Sequence, residues 1–131
     1  MQPKILIVDD EMEFTKALEQ YFGARGYEVH VALTGSSGIA LVDHYNPDVV
    51  LTDLKLPGLD GDDILKHVRR THPNTKVIVI TAYNDGGKAK RRLLALGAFA
   101  HFDKPLPSLQ DLGQTIQRAL ASSGGPDATK P

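Results

Sequence analysis

Val49-Val50-Leu51-Thr52-Asp53 is a short apolar run ending in an acid, and Leu54-Lys55-Leu56-Pro57-Gly58-Leu59-Asp60-Gly61 follows it. A short run of apolar and β-branched residues closed by Pro and Gly reads as a buried strand emptying into a tight loop. Asp53 then stands at the carboxyl end of the strand, the edge of an open α/β sheet at which ligands bind. Taken alone, the stretch leaves a plain turn residue as an equal rival, since an Asp side chain readily accepts hydrogen bonds from nearby backbone N–H groups.

The same pattern recurs on both sides. Ile5-Leu6-Ile7-Val8 is continuously apolar, which indicates a strand covered on both faces as in a parallel sheet, and it ends in Asp9-Asp10-Glu11. From Glu11 onward, Phe14, Ala17, Leu18, Tyr21 and Phe22 form the stripe of an amphipathic helix that Gly23 and Gly26 terminate. Residues 27–32 alternate more, as in a strand nearer the sheet edge. A second helix is expected over about 36–45, stopped by Asn46-Pro47 because the residue before a proline is pushed out of the helical region. Asp48 opens the strand that leads to Asp53.

Beyond the Pro57-Gly58 turn, Ile64, Leu65 and Val68 mark a third helix, with Arg69 and Arg70 near its carboxyl end where positive charge suits the helix dipole. Val77-Ile78-Val79-Ile80-Thr81 is a fourth strand. A fourth helix is expected over about 86–96, with Gly86 and Gly87 in its first turn weakening it by ~1 kcal/mol each relative to alanine. Phe99-Ala100-His101-Phe102 makes a fifth strand, followed by Asp103-Lys104-Pro105. The last helix opens at Ser108 with Asp111 as a capping pair and places Leu109, Leu112, Ile116 and Leu120 on one face. Five repeats of strand then helix call for one parallel sheet with helices on both faces and right-handed crossovers. The expected domain is 1–121. Residues 122–131, opening with Ser122-Ser123-Gly124-Gly125-Pro126, have the composition of a flexible linker, either a tether to a further domain or a cloning remnant.

Composition narrows the classes of function. With 131 residues, 41% hydrophobic and 24% charged, the chain suits one compact domain and is neither disordered nor collagen-like. Fifteen basic and 16 acidic residues leave a formal net charge of -1, so no global charge draws the chain to nucleic acid or membrane. The absence of cysteine removes disulfides, thiolate chemistry and Cys-based zinc sites. No apolar run approaches the ~20 residues needed to cross a bilayer, and the expectation is a soluble, cytoplasmic protein.

Parallel strands share one carboxyl edge. To it strand 1 brings Asp9 and Asp10, strand 3 Asp53, strand 4 Thr81 and strand 5 Lys104. Converging carboxylates repel unless a cation neutralises them, and Mg²⁺ fits because it takes one or two carboxylates and keeps positions for water and phosphate oxygens. The chemistry suggested is Asp53 as nucleophile toward a phosphoryl group, with Lys104 and the Thr81 hydroxyl on its oxygens. Singly, each residue has a duller account: Asp9 and Asp10 as helix caps, Thr81 as a strand residue, Lys104-Pro105 as a loop. Their joint arrival at the ends of separate strands favours the site.

With these motifs in place, the sequence resembles the receiver domain of two-component response regulators over about residues 4 to 121. The motifs are Val8-Asp9-Asp10, Asp53 with Leu56-Pro57-Gly58 and Asp60-Gly61, Ile80-Thr81-Ala82, Gly97-Ala98 and Lys104-Pro105. The resemblance implies a flavodoxin-like, doubly wound five-stranded parallel sheet of order 2-1-3-4-5 with five helices. It implies phosphoryl transfer from a histidine kinase's phosphohistidine to Asp53. It also implies Mg²⁺ held by Asp10, Asp53 and the Lys55 backbone carbonyl with Asp9 acting through water, a cis Lys104-Pro105 peptide, and Thr81 as a switch hydroxyl. Implied partners are a sensor histidine kinase or phosphotransfer protein, an output domain beyond residue 125 or a separate effector, and a phosphorylation-dependent second copy.

There are two departures from the family pattern, one at His101 and one at Lys55 with Tyr83. His101, three before Lys104, stands where the family usually has Tyr or Phe, and its charge can change near neutrality; an exposed ring is the simpler expectation. Lys55 and Tyr83, two past Asp53 and two past Thr81, are expected to overhang the phosphoryl group and slow its loss. His30, His44, His67 and His72 lack metal-ligand spacing and are expected at the surface. Lys88, Lys90, Arg91 and Arg92 form a basic run that reads as a solvated helix face, with docking or dimerisation the weaker alternative and DNA binding disfavoured. A phosphatase would want a general acid where Lys55 stands, and a nucleotide binder would want a glycine-rich loop after strand 1, where Asp9-Asp10 stand instead.

Overall fold

The computed structural model describes residues 2–122, so the stretch read as a linker from Ser123 onward lies outside the described residues. Strands and helices alternate throughout: β1 (Lys4–Val8), α1 (Met12–Gly23), β2 (Glu28–Ala32), α2 (Gly35–Tyr45), β3 (Val49–Thr52), α3 (Gly61–Thr71), β4 (Lys76–Thr81), α4 (Lys88–Ala95), β5 (Ala100–Asp103) and α5 (Leu109–Ala121). The strands form one parallel sheet in the order β2-β1-β3-β4-β5. The chain starts near the middle, steps out to β2, and returns past β1 to build the other side. The winding reverses between β1 and β3, the switch point of the strand order at which open α/β sheets bind ligands. This is the doubly wound, flavodoxin-like architecture.

The inner strands β1, β3 and β4 are apolar along nearly their whole length because both of their faces are buried, whereas the edge strand β2 alternates and is half-buried. Leu6, Val8, Val50, Val77 and Val79 pack with Val42, Ile64, Leu65, Val68 and Leu93 beneath α2, α3 and α4. The intervening residues Ile5, Ile7, Val49, Leu51, Ile78 and Ile80 pack on the opposite face with Leu18, Phe22, Leu112 and Ile116 from α1 and α5. The register sets Val8 beside Thr52, and Thr52 beside Val79. Three further backbone bonds carry the ladder past the strand ends: Asp9 N–H to Ala32 C=O (3.0 Å), Asp53 N–H to Val8 C=O (3.0 Å) and Lys104 N–H to Thr81 C=O (2.9 Å). The three loops that carry the acids and the lysine are thereby tied to the sheet before any side chain is considered.

Several local expectations change. The buried face of α1 is Thr15, Leu18 and Phe22, and Ala17 is exposed. Thr15 can be buried because its hydroxyl donates to the Met12 carbonyl (2.9 Å). On α5 the buried residues are Leu112, Thr115, Ile116 and Ala119, which swing the packed face about a quarter turn away from Leu120, left 38% exposed. Gly86 (φ 74°) and Gly87 (φ 89°) do not sit in the first turn of α4: both are left-handed, in the loop that leads to it. α4 therefore runs only from Lys88, and the Asp85 carboxylate accepts the Ala89 N–H (2.9 Å) to close its first turn. Among the described residues no helix is long and apolar enough to cross a membrane.

Candidate functional site

Lys104 draws the carboxyl ends of β1, β3 and β5 to one point. Its ammonium donates to Asp9 Oδ2 (2.8 Å), Glu11 Oε1 (2.6 Å) and Asp53 Oδ2 (3.1 Å), and lies 4.6 Å from the centre of the Phe14 ring. The Lys104-Pro105 peptide is cis. The contact to Glu11 was not anticipated; the only signal was its place as third member of the acidic triplet. Asp9, 2% exposed, and Asp53, 8% exposed, are buried, whereas Asp10 faces solvent. One carboxylate oxygen from each of Asp9, Asp10 and Asp53 lies within 4.8 Å of the others, as the sequence led one to expect.

Backbone groups aim the acids. Asp53 Oδ1 accepts the N–H of Leu54 (2.6 Å) and of Lys55 (3.3 Å), and Asp9 Oδ1 accepts the N–H of Glu11 (2.9 Å). Behind the loop, Gly61 donates to the Leu54 carbonyl (2.8 Å), and a Cβ on Gly61 would stand 2.5 Å from the Asp53 carbonyl oxygen. Only a glycine lets α3 start that close to the acid, which is the structural content of Asp60-Gly61. Burial raises the Asp9 pKa, and the Lys104 and Glu11 hydrogen bonds offset this only in part. Burial acts against the Lys104 charge too, but the hydrogen bonds to Asp9 and Glu11 outweigh it and leave the ammonium above its ordinary pKa. The site thus holds a fixed cation against several acids.

Thr81 is 1% exposed at the end of β4, and its Oγ1 accepts the Tyr83 N–H (3.1 Å). Lys55 and Tyr83 meet one another across the two loops, with the Lys55 ammonium 4.6 Å from the Tyr83 ring centre. His101 is not the exposed ring that was expected. It is half-buried on β5 beside Val79, and its Nδ1 is buried without a hydrogen-bond partner among the described residues. Burial pushes its pKa down, against the raising effect of Asp103. On α4, Arg92 forms a two-pronged pair with Asp62 of α3 (3.0 and 3.1 Å), while Lys88, Lys90 and Arg91 are exposed.

The other histidines divide. His44 is exposed, and His30 pairs with Glu28 (2.7 Å) while stacking on Tyr45. His67 and His72 are not plain surface residues: each places Nε2 2.8 Å from the same Asp43 oxygen, and the three residues have ligand atoms within 4.8 Å of one another. Spacing along the chain could not show this, because the third member lies on a different helix.

Known proteins resemble this chain in sequence and in fold. Residues 5–117 match the family model described as response regulator receiver domain. The chain is similar to the sporulation initiation phosphotransferase F of Bacillus subtilis, 39% identical over 120 residues that cover 92% of this chain and 95% of that protein. It is also 39% identical over 117 residues to the regulatory protein AtoC of Escherichia coli, but spans only 25% of that protein's length. Among solved structures it is similar to a CheY-like response regulator receiver domain from Methanospirillum hungatei, with TM-score 0.86, 30% identity, and coverage of 92% of this chain and 95% of that one.

Proposed function

Because the chain belongs to the response regulator receiver family of two-component signalling, we propose that Asp53 is its phosphoacceptor and that a histidine kinase or phosphotransfer protein is the donor. The P–N bond of the donor's phosphohistidine breaks as an Asp53 carboxylate oxygen bonds to phosphorus, leaving an acyl phosphate on this chain and a free histidine on the donor. The observation that carries this reading is the Lys104 ammonium, poised 3.1 Å from Asp53 and held by two other acids. It can follow the incoming phosphoryl oxygens while the Leu54 and Lys55 N–H groups keep the carboxylate aimed.

An all-oxygen cluster with one solvent-facing acid suits a hard divalent cation such as Mg²⁺. Asp10, Asp53 and the Lys55 carbonyl would hold it, with Asp9 acting through water. When bound it neutralises charge on the transferred group. Thr81 takes a phosphoryl oxygen with its hydroxyl and gives up the Tyr83 N–H contact, moving the loop after β4. Through Thr81 and His101 that movement reaches α4, β5 and α5, the surface read by an output domain, a separate effector or a second copy.

The test is intact-mass measurement after incubation with a small phosphoramidate and Mg²⁺. One added phosphoryl group in the wild type, absent in Asp53→Ala and without metal, is expected. Steady turnover of donor without accumulation on the chain would instead make it a phosphatase. Lys55 and Tyr83, in contact with one another across the two loops (4.6 Å), would shield the acyl phosphate from in-line water; Lys55→Asn is expected to shorten its lifetime severalfold, and unchanged decay kinetics would refute the role of the lysine.

A further inference from the structure

A second cluster of ligand-type side chains lies at the other edge of the sheet. α2 and α3 run back along one face and end near the amino ends of the strands, away from Asp53. There Asp43, three residues before the α2 C-cap, faces His67 on α3 and His72 at the α3 C-cap. Both imidazole Nε2 atoms stand 2.8 Å from Asp43 Oδ1, the two ring centres are 6.2 Å apart, and the three ligand atoms lie within 4.8 Å of one another.

His72 adds an independent feature. Its Nδ1 is 3.0 Å from Asn46 Oδ1, so both of its ring nitrogens face an oxygen. A neutral imidazole carries a single N–H. With Nδ1–H donated to the Asn46 carbonyl, Nε2 presents a lone pair toward an anionic oxygen, an arrangement that requires a proton or a metal ion between them. An imidazole whose far nitrogen is held by a carbonyl, with its near nitrogen aimed at a shared point, is how protein metal centres orient their histidines.

We propose that Asp43, His67 and His72 form a binding site for a borderline divalent transition metal of the Zn²⁺ class, distinct in place and chemistry from the all-oxygen acidic cluster. Two imidazoles and a carboxylate suit Zn²⁺, whereas Mg²⁺ prefers oxygen ligands alone. Tetrahedral ligand atoms around Zn²⁺ stand about 3.4 Å apart, so the two 2.8 Å contacts open by about half an ångström to admit the ion. Asp43 can make that movement because its side chain is 52% exposed, while those of the histidines are 16% and 18% exposed. Its exposure leaves a fourth position for water or a partner's side chain. The bound ion ties α2 to α3.

The experiment is titration of Zn²⁺ into the chelator-stripped full chain with Mg²⁺ in excess, followed by calorimetry and by the ¹⁵N shifts of the imidazoles. One Zn²⁺ per chain is expected, with the Nε2 resonances of both His67 and His72 moving to metal-bound values. Affinity is expected to fall at least tenfold in His67→Gln and in His72→Gln, with Mg²⁺-dependent labelling of Asp53 unchanged. Asp43→Asn, at an exposed position that keeps the fold, is expected to show the same loss. No binding in the wild type, equal binding in these variants, or shifts confined to His30 and His44 would overturn the site.

Discussion

Lys104 is the residue on which the others at the acidic edge depend. Its side chain is 10% exposed and neutralises Asp9, itself 2% exposed, so removing it leaves a buried carboxylate without a cation. Lys104→Met is expected to destabilise the fold by about 3 kcal/mol, the low end for a broken buried pair because Glu11 and Asp10 keep contact with solvent. Urea denaturation measures it, and a loss no larger than that of an exposed pair would contradict the buried account. His101 makes a different prediction. Its pKa is lowered by burial, with Asp85 and Asp103 opposing that effect and Lys90 adding to it. The unfolded chain therefore binds the proton more readily, and stability present above the ordinary histidine value is lost as pH falls below it. The urea midpoint should drop between pH 7 and pH 5 in the wild type, with less of a drop in His101→Phe. If an NMR titration over the same range leaves α4 and β5 unmoved, the ring has no part in switching.

At the scale of elements, the loop from Asp53 to α3 is held by closeness and not by apolar mass. The Cβ of Gly61→Ala would press on the Asp53 carbonyl oxygen and, at 3.0 Å, on the Leu54 Cα, both of them backbone atoms that cannot swing aside. The expected outcome is a loss of about 1–3 kcal/mol together with slower phosphorylation, since the acid moves with its backbone. Gly23→Ala is the matched control: it ends α1, nothing lies within 4 Å of the added methyl, and it should stabilise the chain by about 0.5 kcal/mol. Equal effects of the two substitutions on the phosphorylation rate would remove the case for Gly61. α4 is the other sensitive element. It has eight residues, too few to be stable alone, and it follows two left-handed glycines. The element on the proposed signalling surface is thus weakly held, which suits a segment that must move.

At the scale of the whole molecule, the sheet keeps its sources of stability apart from its chemistry. Two apolar layers cover its faces, and the carboxyl edge gathers like charges that oppose folding unless compensated. Mg²⁺ should therefore stabilise the entire fold by mass action, by about 2.7 kcal/mol at a hundredfold excess over its dissociation constant. Thermal melts of the wild type and of Asp53→Ala, with and without Mg²⁺, measure this; a shift of equal size in both would place the ion elsewhere.

The sequence by itself determined the order of elements and the parallel sheet, because a strand buried on both faces must be apolar without interruption, as in Ile5-Leu6-Ile7-Val8 and Val49-Val50-Leu51. It also determined that Asp9, Asp10, Asp53, Thr81 and Lys104 reach one edge, since each ends a strand-like run or follows one within two residues. Periodicity is a local signal, however, and does not state which azimuth of a helix meets its neighbours. Only the tertiary structure could exchange Ala17 for Thr15 and Leu120 for Ala119, turn His101 inward, or move two glycines out of α4. Contacts between distant residues are hidden for the same reason. Lys104 finds Glu11 from 93 positions away, and Asp43 meets His67 and His72 from 24 and 29, because helix packing and crossover geometry choose those neighbours.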